Sequence, residues 1–311
     1  MRKVLLALIA LLVCLGVSCP CGPAVCEQET DSAATIEEPS VRWSYSISLT
    51  SLQQPCLVLV NEDNLLDKSY EPSPMVKMTG VKRATSATIY LQEQAANAVE
   101  EMFEAAKAVS KFTYVHLNSK GNETEEEVSL PNGMTLFLKS GYRSYGTQAT
   151  TYSNYLARNN NVDDGYVAKP GASEHQTGLC CDILNGDYAA REYMTQDFKY
   201  TPEAQWMKEH CAEFGFILRY TEEGEAATGI MFEPWHFRYV GKEVAGYISS
   251  TGISLEEFTA EWQKEIEDFE SRGGDIQVQL AYEDSRLNVP PSSYILDEYG
   301  EDGDAEISLV Y

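Results

Sequence analysis

The chain contains four histidines, His116, His175, His210 and His236. Two of them stand close to carboxylates. His175 lies in Ser173-Glu174-His175-Gln176-Thr177-Gly178-Leu179-Cys180-Cys181-Asp182, and His236 closes Glu233-Pro234-Trp235-His236. Two imidazoles and a carboxylate are donor types that a catalytic zinc ion takes as its three protein ligands, with a fourth position kept for water. His175, Asp182 and His236 supply such a set. A hydrolase of this kind also needs a carboxylate that takes a proton from the attacking water. Glu233 is the candidate. A regular strand puts residues 233 and 236 on opposite faces, but Pro234 cannot continue a ladder, and the kink there brings both to one ion. No His-Glu-x-x-His helix is present, which excludes the common helical zinc-protease design. No Cys-x-x-Cys pair is present either, so a thiolate knuckle is not expected. His116, in an apolar strand-like stretch, and His210, on a helix, are read as core or surface histidines.

The elements that must position these residues follow from hydrophobic period and caps. Residues 91–109 form the clearest helix, with Leu91, Ala95, Ala98, Met102, Ala106 and Val109 on one face. Residues 145–158 are expected helical. Residues 202–214 form a helix that starts on Thr201 and Pro202. Ser254 caps another, reaching to 269. Strands are expected over 41–52, 57–60, 135–138, 179–184, 216–220, 230–239 and 275–282. Helices and strands do not alternate regularly, so the fold class is α+β, with a small antiparallel sheet flanked by helices. His175 then sits in a loop, Asp182 on the strand after it, and His236 on a facing strand.

Arg2 and Lys3 precede an apolar run, 4–17, too short to span a bilayer comfortably. Small residues follow before Cys19. This predicts a signal peptide within 1–26 or a lipoprotein signal anchored through Cys19, with plain secretion favoured, and an exported or cell-envelope location. Residues 27–40 read as an acidic linker, and 271–311 as an acidic C-terminal extension. The net charge of −25 should repel nucleic acid and anionic membranes, so neither is expected as a partner. Four of the eight cysteines lie in or just after the signal region, and their spacing defines no disulfide framework.

The stretches SGYRSYGTQ (140–148), KPGASEHQTGLCCDI (169–183), FGFILRY (214–220) and EPWHFRYVG (233–241) resemble the VanY-type D-alanyl-D-alanine carboxypeptidases. LVLVNEDNLLDKSYEP (57–72) looks like the start of that domain. The segments keep the family's order over about Leu57 to Phe258, and the peptidase domain is expected over 41–270. It implies the Hedgehog/DD-peptidase fold and one zinc ion per chain, held by His175, Asp182 and His236, with Glu233 as base and no other cofactor. It also implies that Arg143 holds the substrate and polarises its carbonyl, that Ser173 hydrogen-bonds it, and that Gln148 lines the same pocket. Trp235 is counted among the substrate-binding residues beside the second histidine. The implied substrate is a peptidoglycan stem peptide ending in D-alanine, and the chain is expected to act as a monomer.

The sequence departs from the family at Cys180-Cys181, where small or aliphatic residues are usual. On a strand, Cys180 shares the face of Asp182. Its sulfur either approaches the metal or acts with Cys181 as a small buried hydrophobe, the reading preferred here. A bond from either to Cys211 stays open. The leading activity is D,D-carboxypeptidase. The alternatives are an L,D-carboxypeptidase acting on tetrapeptide stems, with the same catalytic residues, and a non-catalytic wall-binding module, which the presence of Glu233 and Arg143 argues against.

Overall fold

The structure, a computed structural model, describes residues 38–287. The expected signal segment, Cys19, most of the acidic linker and the acidic run at 297–304 lie outside the described residues. Residues 41–48 form no strand. They run as an irregular strap into a one-turn helix, α1 (Leu49–Leu52). The strap's alternating aromatics pack on helices: Trp43 meets Phe269 edge-on at 5.4 Å, and Tyr45 meets Tyr247 at 5.7 Å. The strand expected at 57–60 is likewise absent, and a 3₁₀ turn, Pro55–Leu57, leads into irregular chain.

A short antiparallel ribbon follows, β1 (Met75–Lys77) and β2 (Tyr90–Gln92), and then helix α2 (Glu93–Lys107). Ala95, Ala98, Val99, Met102 and Ala106 are buried along one stripe of α2. Leu91 is buried too, but on β2. The next hairpin joins β3 (Lys111–Leu117), the strand-like stretch around His116, to β4 (Glu123–Ser129), for which no strand is expected. β4 carries Glu123, Glu125, Glu126 and Glu127, and glutamate is depleted in strands. Cross-strand partners offset that: Phe112 faces Val128, and Tyr114 faces Glu126.

β5 (Leu136–Ser140) begins the main sheet and leads to α3 (Tyr145–Arg158), capped by the Ser144 hydroxyl. β6 (Cys180–Asn185) is buried along its whole length. Next come α4 (Gly186–Ala189) and α5 (Pro202–His210), the latter capped by Thr201 with Pro202 at its start. β7 (Phe216–Leu218), α6 (Glu225–Thr228) and β8 (His236–Tyr239) follow. The main sheet is antiparallel throughout, in the order β5-β6-β8-β7. β8 is shorter than the expected 230–239 because residues 233–236 form a turn, closed by the His236 amide donating to the Glu233 carbonyl at 3.1 Å. The register sets Ser140 opposite Asp182 and Asp182 opposite His236, so three strands project one polar row on one face. Cys181 and Phe237 pair on the other face, fully buried in the core.

Helices α7 (Lys242–Thr251), α8 (Leu255–Ser271) and α9 (Ile276–Leu287) complete the described chain. The capping box predicted at Ser254 is present, with Glu257 as its reciprocal partner. The strand expected over 275–282 is a helix. Asp275 accepts the amides of Gln277 and Val278, starting α9 with an aspartate cap. The period-2 pattern misled because Ile276 and Leu280 also lie one helical turn apart. Helix α9 packs back on the strap, where Gln279 accepts the Trp43 amide. Glu283 accepts the amides of Leu49 and Thr50, at 3.2 and 2.9 Å. Cys56, Cys180, Cys181 and Cys211 are all unbonded thiols, so the open link to Cys211 is not made.

Glu283 thus caps α1 from more than two hundred residues away in sequence. Glu283→Ala is expected to cost about 1 kcal/mol, lowering the melting midpoint by roughly 2–4 °C for a body of this size. Scanning calorimetry of wild type and variant checks this, and an unchanged midpoint would show that α9 does not brace the strap.

Candidate active site

His175 lies in a buried 3₁₀ turn, Glu174–Thr177, which Gly178 closes at φ 68° before β6 begins. Its Nδ1 is 2.7 Å from the Gly141 carbonyl oxygen. A carbonyl only accepts, so Nδ1 carries the proton and Nε2 keeps its lone pair. That Nε2 lies 3.6 Å from Asp182 Oδ2. Gly141 is required by close approach: a Cβ there would sit 2.7 Å from the Tyr90 carbonyl oxygen. The next residues support the same turn, with the Arg143 amide donating to the His175 carbonyl at 3.0 Å.

His236 begins β8 with Nδ1 3.3 Å from Asp182 Oδ1 and 3.5 Å from Glu233 Oε2. The 233–236 turn is what brings the glutamate to the histidine. The Glu233 amide is also tied to the Tyr220 carbonyl at 3.0 Å. Asp182 Oδ2 accepts a short hydrogen bond from Ser140, while Oδ1 is buried with no hydrogen-bond partner. Cys180 is fully buried on the same face of β6. Its sulfur and ring nitrogens of His175 and His236 all lie within 4.8 Å of one another. The preferred reading of Cys180 as only a small hydrophobe therefore does not describe its surroundings.

All eight site residues read from the sequence line one cavity of about 170 Å³: Arg143, Gln148, Ser173, His175, Asp182, Glu233, Trp235 and His236. Arg143 Nη2 lies 3.4 Å from Ser173 Oγ. Gln148 is almost fully buried, donating from Nε2 to the Ala168 carbonyl. A larger hollow of about 760 Å³ shares Ala168, Tyr220 and Ile230 with this cavity. His116 and His210 lie outside the cavity and pair with Glu126 and Glu213. Burial pushes the Glu233 carboxyl up to about 7; the nearby Asp182 adds to this, and His236, His175 and Arg143 oppose it. Burial alone would raise Cys180, but the two histidines outweigh it and bring the thiol to about 7.

Residues 126–242 match the family model described as VanY, D-alanyl-D-alanine carboxypeptidase. A putative carboxypeptidase, YodJ of Bacillus subtilis, is 33% identical over 216 residues, spanning 68% of this chain and 70% of that relative. The chain belongs to the VanY family. A D-alanyl-D-alanine carboxypeptidase of Enterococcus faecalis is 31% identical over 206 residues, 66% of each chain. Among solved structures, that of the LdcB LD-carboxypeptidase superposes with a TM-score of 0.53 at 32% identity, covering 65% of this chain and 84% of that one. The α+β fold with small antiparallel sheets is that of these VanY- and LdcB-type proteins.

In this VanY-family chain the donor set fits a zinc ion. Bonds of about 2.0–2.2 Å in a tetrahedron separate ligand atoms by roughly 3.3–3.6 Å. The histidine–aspartate separations, 3.6 Å from His175 to Oδ2 and 3.3 Å from His236 to Oδ1, are of that size, each to a different oxygen of the carboxylate. A buried carboxylate oxygen without a hydrogen-bond partner is also costly unless a cation or donor meets it.

Sequence reasoning missed the group beneath the site. Glu174 is buried with Oε1 2.8 Å from Arg219 Nε and 2.7 Å from Arg238 Nη1. Its Oε2 lies 3.5 Å from His236 Nε2. Arg219 also forks onto Glu256 at 2.8 and 2.6 Å. Arg238 donates to the carbonyls of Cys56 and Val58 at 2.9 and 2.6 Å. Burial disfavours the charged Glu174, yet the two guanidiniums outweigh it and hold its carboxyl well below the usual range. The available signal was an arginine in each of two apolar stretches, FGFILRY and HFRYV. Replacing one member of a buried ion cluster leaves charge uncompensated, at a cost of about 3–5 kcal/mol. Glu174→Gln should therefore lower the denaturant midpoint by a corresponding amount. A loss below 1 kcal/mol in urea titrations would show that the arginines find other partners.

Proposed function

We propose that this chain is an exported zinc D,D-carboxypeptidase that removes the terminal D-alanine from peptidoglycan stem peptides. The observation that carries the reading is one carboxylate, Asp182, between two histidines at ligand spacing, with Glu233 3.5 Å from the second of them. The matching D-alanyl-D-alanine carboxypeptidase relative supports the substrate class. Arg2, Lys3 and the apolar run after them support export.

Zinc held by His175, Asp182 and His236 would supply a Lewis acid that polarises a carbonyl and lowers the pKa of water toward neutrality. The chain's own groups do the rest. Glu233, raised to about 7, takes the proton of the attacking water on a carboxylate oxygen and returns it to the leaving amine. Arg143, beside Ser173 in the cavity wall, offers a planar pair of N–H donors to the substrate's terminal carboxylate or the carbonyl beside it. Gln148 Oε1, buried without a partner, is an acceptor on the same wall. The structural likeness to an LD-carboxypeptidase favours a second reading, release of D-alanine from tetrapeptide stems by the same residues. Incubating the protein with defined penta- and tetrapeptide stems, and weighing the released residue and product, separates the two.

Chelation should abolish hydrolysis and added zinc restore it; undiminished turnover by metal-free protein would end the zinc reading. Glu233→Gln should keep the zinc content and lose about a hundredfold or more in kcat. If the variant loses its metal instead, Glu233 is a ligand and not the base. Arg143→Lys should lower kcat/KM at least about tenfold, or about 1.4 kcal/mol, with zinc content unchanged. Amidating the substrate's C-terminus should hurt the wild type more than this variant, and equal losses in both would move Arg143 to the scissile carbonyl.

A further inference from the structure

The inference concerns Cys180, and it rests on the zinc reading above. β6 alternates its side chains, so Cys180 and Asp182 share a face while Cys181 points into the core opposite Phe237. Cys181 has the surroundings of an ordinary buried thiol. Cys180, fully buried, does not, because its sulfur meets ring nitrogens of both His175 and His236 within 4.8 Å. A second observation points to the same place. Asp182 Oδ1 is buried with no hydrogen-bond partner and lies 3.3 Å from His236 Nδ1.

We propose that Cys180 is a metal ligand, which adds a sulfur donor to the two imidazoles and the carboxylate around the ion. In a tetrahedral site with a zinc–sulfur bond of about 2.3 Å and zinc–nitrogen bonds of about 2.0–2.1 Å, sulfur and nitrogen lie roughly 3.5 Å apart. The thiol gives its proton to solvent as the zinc–sulfur bond forms. Thiolates are soft donors that favour zinc, so the fourth contact tightens the metal. Four protein ligands also fill the tetrahedron, the arrangement of closed sites, whereas a catalytic site keeps one position for water. In this chain water must displace the sulfur or expand the coordination to five. Cys180 therefore trades turnover for metal retention.

The test is X-ray absorption at the zinc edge on the full chain loaded with one zinc, comparing wild type, Cys180→Ala, Cys180→Ser and Cys181→Ala. The expected result is a sulfur shell at about 2.3 Å in the wild type and in Cys181→Ala, absent from both Cys180 variants. Cobalt substitution gives an independent readout, a thiolate-to-cobalt charge-transfer band in the near ultraviolet that disappears with Cys180. Competition with a chelator should show zinc held at least tenfold more weakly by Cys180→Ala than by the wild type or Cys181→Ala. A wild-type zinc site of nitrogen and oxygen alone, or a sulfur shell that survives loss of Cys180, overturns the proposal and leaves the zinc peptidase reading standing. A wild type that takes up no zinc overturns that reading itself. The wild-type spectra decide the matter even if a variant folds poorly.

Discussion

The structure turns on a carboxylate that is out of reach of water. Glu174 is buried between the guanidiniums of Arg219 and Arg238, and both arginines are buried as well. Ions removed from water cost several kcal/mol each, and mutual attraction recovers this only where the geometry is close and the remaining donors are satisfied. That condition is met here. Arg219 forks onto Glu256 at the start of α8, and Arg238 gives its other donors to the carbonyls of Cys56 and Val58. One charge cluster thus holds the 3₁₀ turn before β6, the strand β8, the chain just after β7, residues 56–58 and helix α8.

The chemistry sits directly on that cluster. Glu174 Oε2 faces His236 Nε2 at 3.5 Å, which leaves Nδ1 turned toward Asp182 and Glu233. His175 is oriented by a hydrogen bond to the Gly141 carbonyl. His236 Nε2 faces Glu174 without a hydrogen bond. Asp182 is set by Ser140 from the neighbouring strand. The row Ser140, Asp182, His236 across β5, β6 and β8 is a consequence of strand register, and a slip of one residue would send all three side chains to the other face.

Around this centre the first and last described segments act as bracing. Trp43 and Tyr45 lie on α7 and α8, and α9 caps α1 through Glu283. The acidic hairpin β3–β4 shows that a strand can be made of glutamates when its partner supplies Phe112, Tyr114 and Lys111.

The sequence by itself pointed to the candidate donors and base, and it determined the α+β class and the presence of helices where 93–107, 145–158, 202–210 and 255–271 are found, because these rest on residue chemistry and on local periods and caps. It also indicated that Pro234 would break β8 and bring Glu233 beside His236. What it could not provide depends on distant partners. The strap at 41–48 and helix α9 showed a strand-like alternation, but whether such a segment pairs or coils is settled by what it packs against, and here that is helices. Arg219 and Arg238 lie forty-five and sixty-four residues from Glu174 in sequence, so nothing local marks them as one unit. Cys180 looked like a small hydrophobe for the same reason: a thiol's role is set by what it faces, and only the tertiary structure puts two imidazoles there.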